Sequence, residues 1–256
     1  MDKRVTLIVA ILSTLLLLTT LLPRIQLPEG YHSFADQRML FFIPNFFDVA
    51  SNIPFGLLGL YGVHFLIKPR RNIFSLDIMS ELPFLAFFLA IIFVMLGSAY
   101  YHWSPSNSSL FWDRLPIVVA FTCLFVGFLS DRFNPKIVVI YVLPPLLLLS
   151  FSALAWDSHH SDRGGDLRFY LLVQLCPIII LPILCRLYPK GRLTTEKHLW
   201  QMIAWYGAAK AFEYFDSLIF SVTNETLSGH TLKHLAASMA VFVVIRMLKE
   251  KRRYRR

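Results

Sequence analysis

The chain has 256 residues, of which 56% are hydrophobic and 16% charged, and its mean hydropathy is +0.56. Soluble domains carry about 25% charged residues, so this composition excludes a soluble fold and points to a polytopic membrane protein. The net charge of +9 does not indicate nucleic acid: seven of the 25 basic residues lie between Arg246 and Arg256, where they flank a membrane, and no nucleic-acid-binding module accompanies them.

At the N-terminus, Met1-Asp2-Lys3-Arg4 is followed by an uncharged stretch from Val5 to Leu22. That stretch is longer than a signal-peptide core and no small-x-small cleavage site follows it, so it reads as a retained signal anchor. Eight stretches are long and apolar enough to span: 5–22, 47–67, 82–103, 111–130, 137–154, 168–188, 199–221 and 230–248. They lack strand alternation, and lipid satisfies no backbone polar group, so they are expected to be helices. The expected fold is an all-α membrane protein, a seven-helix transmembrane bundle with one additional N-terminal transmembrane helix. Its parts are a signal anchor and interfacial segment (1–46), a seven-helix hydrolase domain (47–249) and a basic cytoplasmic tail (250–256). Met39 to Ile43, beside Pro44, suits an interfacial stretch. Gly56, Gly59 and Gly62 suit close helix packing. Cys123, Cys176 and Cys185 lie in or at the edge of apolar runs with no paired spacing, and read as packing residues.

Orientation follows from the basic residues. With the N-terminus inside, eighteen Lys and Arg fall on the inner side, and only Arg24, Arg38, Arg163 and Arg168 on the outer side. This bias puts both termini in the cytoplasm.

Ionisable groups in spans are costly and are functional candidates by default. Ser98 and His102 end the third span at i and i+4, Asp113 opens the fourth, and His230 and His234 open the eighth at i and i+4. Alternating direction brings all five to the outer edge. Three imidazoles and a water make an open zinc site, for which a nearby carboxylate can act as base.

Ser98-x3-His102, Asp113 and His230-x3-His234 over seven helices resemble the CREST superfamily of membrane hydrolases. Ser51-Asn52, Tyr100-Tyr101-His102, Trp112 to Pro116 and Gly229 to His234 are most similar to its alkaline ceramidase branch, a likeness covering about residues 36–248. The resemblance implies zinc held by His102, His230 and His234, with Asp113 activating its water and Ser98 near the reacting carbonyl. It implies a hydrolase of linear amides, cutting ceramide or a related lipid amide that enters from the bilayer. Eukaryotic members carry an acidic N-terminal cluster that binds calcium, with a glutamate at the position of Asn45 here. Only Asp36 precedes it in that stretch, so calcium is not expected, and Asp36, Asn45 and Asp48 are expected to form a calcium-free polar plug.

Lys210, Glu213 and Asp216, at i, i+3 and i+6, read as an internal ion-pair cluster, or else a proton relay. Trp156 to Asp162 reads as a solvated outer loop. The alternatives to a hydrolase are a receptor or signalling protein with a structural zinc and a proton-coupled transporter. Absent repeats and histidines at the outer edge both speak against the transporter. In a bacterium the site would face outward from the inner membrane. In a eukaryote it would face the lumen of the endoplasmic reticulum or Golgi.

Overall fold

The computed structural model describes residues 2–68, 78–161 and 164–253. Arg70, Arg71 and Arg163 of the charge tally, Asp162 of the outer loop and residues 254–256 of the tail lie outside the described residues. The described part is helical, and the only β-pairing in it is an isolated bridge between Leu40 and Ile43.

Helix α1 (Lys3–Leu21) begins where the Asp2 carboxylate accepts the Arg4 N–H, and it packs on α8 (Arg168–Leu187). The next crossing is α2 (Phe46–Ala50) and α3 (Ile53–Ile67), separated at Ser51-Asn52, with Pro54 in the first turn of α3 where no N–H is needed. Helices α4 (Ile78–Trp103) and α5 (Asn107–Ser130) form an antiparallel hairpin, whose turn is closed by reciprocal hydrogen bonds between Ser106 and Ser109. The fifth long stretch runs Pro135–His159. It is a short α6 (Pro135–Ile137), a π-turn (Val138–Val142) and α7 (Leu143–His159). Pro144 and Pro145 lack the N–H groups a regular α ladder needs there, which accounts for the π-turn before them. Then come α8, α9 (Glu196–Tyr214), α10 (Asp216–Val222) and α11 (Gly229–Arg253). Phe84, Phe88, Phe128, Leu184, Ile245 and Met247 fill the core, all below 2% exposed.

Seven helices among the described residues are long and apolar enough to cross a membrane, the N-terminal one included. The seventh expected span, 199–221, is instead α9 and α10, broken at Phe215, and does not meet that measure. The physical reason is charge, since α9 carries Glu196, Lys197, Lys210 and Glu213. It nevertheless lies along α11, from His198 against Glu250 to Glu213 against Lys233. The seventeen residues of α11 between those contacts rise about 25 Å, so α9 runs most of the length of the bundle.

The two ends of the bundle are latched differently. At one end the Asp131 carboxylate accepts the backbone N–H groups of Arg192, Leu193 and Thr194 and the Thr194 hydroxyl. Arg132 donates to the Tyr188 carbonyl, Arg4 to the Leu187 carbonyl and Lys251 to the Gly191 carbonyl. Both described ends of the chain therefore meet there. At the opposite end, residues 23–45 form a strap. It is pinned by Leu27 N–H to the Gly164 carbonyl and by Leu167 N–H to the Ile25 carbonyl. The Arg168 guanidinium, helped by the Trp156 indole N–H, holds the adjacent Asp166 carboxyl down at about 2. Further along the strap, Phe41 and Phe42 take left-handed backbone (φ 52° and 62°) and stand 82% and 93% exposed, an apolar tip next to α2.

Candidate metal centre

The strap end of the bundle carries the chemistry, and small residues place it. A Cβ on Gly97 would lie 2.2 Å from the Trp112 carbonyl oxygen, so only glycine lets α4 and α5 close where Ser98 faces Asp113. A Cβ on Gly229 would lie 2.3 Å from the Phe212 carbonyl oxygen, which is how α11 starts against the break between α9 and α10. That break frees Asp216 to accept the His230 N–H at 2.7 Å and the Ala35 N–H of the strap at 3.1 Å. Asp216 therefore caps α11 and ties down the strap. It is not part of an ion-pair cluster with Lys210 and Glu213, because the α9 helix that would align the three ends before it.

His102 from α4 and His230 and His234 from α11 are all buried, and their rings lie 4.7–4.9 Å apart, centroid to centroid. Each offers a nitrogen within 4.8 Å of the other two, and this cluster can hold a metal ion. Among the described residues it is the one such group of His, Cys, Asp or Glu side chains.

The donors fit zinc. Nε2 of His102 and Nε2 of His230 face each other at 3.2 Å. Two nitrogens at 2.0–2.1 Å from a tetrahedral zinc stand about 3.3–3.4 Å apart. His234 is oriented from behind: Ser51 gives its proton to the Asp48 carbonyl (3.0 Å), so Nδ1–H of His234 donates to Ser51 Oγ at 2.7 Å and its Nε2 is left as an acceptor. Nδ1 of His102 is buried without a hydrogen-bond partner.

Around the histidines, Phe34 from the strap lies 4.6 Å from the His102 ring and 4.9 Å from the His230 ring, covering them from outside. Asp36 pairs with Arg38, Asn45 donates to the His102 carbonyl at 2.8 Å, and Asp48 accepts the Thr231 hydroxyl at 2.8 Å. Each of these three polar residues thus fastens a different piece of the site. Asp157, expected on a solvated loop, is buried and paired with Arg114 at 2.5 Å, while His160 Nδ1 donates to the Trp156 carbonyl.

A comparison with known protein families matches none of them to this chain, and a comparison with curated proteins matches none either. The chemistry therefore rests on the site. Ser98 faces Asp113 across the close contact of α4 and α5. Both line a cavity of about 470 Å³ that also touches His234 and Lys233 and continues inward past Phe87 to Val244. From His234 to Val244, α11 rises about 15 Å. The lining of this inner reach is apolar, which suits an alkyl chain with a polar linkage at the histidine end.

Sequence spacing alone finds the three histidines. Phe34, Ser51 and Asp216 escape it, because their positions depend on an irregular strap, a break between two short helices and a break between α9 and α10. Ser51-Asn52 stands out as a motif, but the contact of Ser51 with His234 carries no periodic signal.

Proposed function

We propose that this protein is a zinc-dependent intramembrane hydrolase that cleaves the amide bond of a lipid, ceramide being the simplest case, to a fatty acid and an amine. The observation that carries this reading is that a cluster of three buried imidazoles meets, through His234, the end of a deep apolar cavity that Ser98 and Asp113 also line.

His102, His230 and His234 would hold the ion. A zinc ion there supplies Lewis acidity and makes water a nucleophile near neutral pH. Asp113 accepts a proton as water adds to the acyl carbon and the carbonyl π pair moves to oxygen. It returns the proton to nitrogen as the C–N bond breaks, so that one water is consumed and a fatty acid and a free amine leave. Ser98 orients the Asp113 carboxylate and lies close to the reacting carbonyl. Phe34 excludes bulk water from the outer side, and the apolar cavity holds one hydrocarbon chain while the rest of the lipid stays among the helices.

In this reading the shared end of the two termini is cytoplasmic and the histidines lie on the outer side, supported by the bias of eighteen basic residues against four. The test is lipid mass spectrometry of purified protein incubated with a mixed ceramide and phospholipid extract. Release of sphingoid base and fatty acid by the native protein and not by His234→Ala is expected; equal release by both, or none by either, would end the reading.

A further inference from the structure

Lys233 stands on α11 between His230 and His234, and the reaction as proposed leaves it idle. Its ammonium lies 3.2 Å from Nε2 of His230 and 2.6 Å from Oε1 of Glu213, and it lines the same cavity as Ser98 and Asp113. The other oxygen of Glu213 receives Lys210 at 2.8 Å. An ammonium has three donors and no acceptor. Glu213 uses one, so Lys233 retains protons to give at the histidine end of the cavity.

A donor is needed there. Addition of water to an acyl carbon leaves negative charge on the former carbonyl oxygen, and preorganised donors in a water-poor site stabilise it strongly. A hydroxyl carries only one proton, and in the reaction as proposed Ser98 spends it on orienting the Asp113 carboxylate, so it has none for the oxygen. Arg114, the other cation facing this part of the cavity, pairs with Asp157 and stacks over the Tyr170 ring at 4.7 Å. Lys210 is half exposed and engaged with Glu213. Lys233 is the cation that sits against a histidine of the cluster.

We propose that Lys233 is a catalytic residue, its ammonium donating to the acyl oxygen as negative charge gathers there, and that Glu213 is the positioning residue that aims it. The inference rests on the hydrolytic reading and adds its electrostatic partner. No proton leaves Lys233 in the step; it contributes charge and a hydrogen bond, while proton transfer stays with Asp113.

The experiment compares wild type, Lys233→Met and Lys233→Arg as purified full-length protein. It measures zinc content, amide turnover and equilibrium binding of two dodecyl probes. One is dodecanamide, neutral and planar; the other is the monomethyl ester of dodecylphosphonic acid, tetrahedral and monoanionic. Lys210 still pairs Glu213 in Lys233→Met, so no carboxylate is stranded and folding is expected. The expected result for Lys233→Met is a loss of phosphonate affinity and of kcat, each on the order of 10²-fold as for one oxyanion donor. Zinc content, KM and dodecanamide affinity should hold, and Lys233→Arg should restore part of the loss. Equal weakening of both probes would make Lys233 a structural residue and overturn the proposal, as would unchanged phosphonate binding. If the wild type prefers the phosphonate through Lys233 but cleaves no lipid amide, the contact to a tetrahedral anion stands and the assigned reaction is what fails.

Discussion

Asp113 and Ser98 line the same end of the cavity, and the proposed reaction gives them different work. Asp113→Asn keeps the size of the side chain and removes the proton acceptor, so metal content and fold should persist while turnover falls by about 10²- to 10⁴-fold. Ser98→Ala should cost less, because Asp113 loses its orienting partner but keeps its chemistry. Metal analysis and turnover on the same preparations check both, and loss of metal in Asp113→Asn would instead make it a ligand or a support for one. At this scale the sequence was legible where helical periodicity applies: His230 and His234 at i and i+4, and Ser98 and His102 likewise. Lys210 and Glu213 form the ion pair that their spacing suggests, but the same spacing misleads at Asp216, because the helix stops at Tyr214. Phe34 was invisible because it approaches the histidines from a strap with no repeating geometry.

Helix α4 meets α5 across Gly97, and the Ser98–Asp113 pair depends on that approach. A methyl at Gly97 would meet backbone rather than a flexible side chain, so Gly97→Ala must push the helices apart. Overpacking of this kind costs about 1–3 kcal/mol, and here it should also misalign the base. The expected outcome is a lower melting temperature in detergent together with reduced turnover; a native melting temperature would show that the close contact is unimportant. Apolar length was enough to locate seven of the helices, α1 among them, to within a few residues at most ends. It made one span of 199–221, where α9 and α10 are broken at Phe215; α9 lies along α11 and its Glu213 pairs with Lys210 and Lys233. Its place in the bundle comes from its neighbours, and hydropathy read along one segment carries no record of neighbours.

The whole molecule is polarised. One end gathers Asp131, Arg132, Arg192 and Lys251 with both described ends of the chain; the other gathers the strap and the histidines. The basic bias was countable from the sequence, whereas which helix ends meet was fixed only by packing. Reporter fusions after the C-terminal tail should read cytoplasmic and insertions at Gly164-Gly165 external, and a cytoplasmic signal from that loop would reverse the side proposed for the site. All that is proposed for the outer end depends on His102, His230 and His234 holding one metal ion between them. Elemental analysis of protein purified without added metal, set against the triple alanine variant at these positions, tests this directly. About one zinc per chain in the native protein and none in the variant is the expected result; stoichiometric zinc in the variant, or no metal in a folded and fully active native protein, would contradict it.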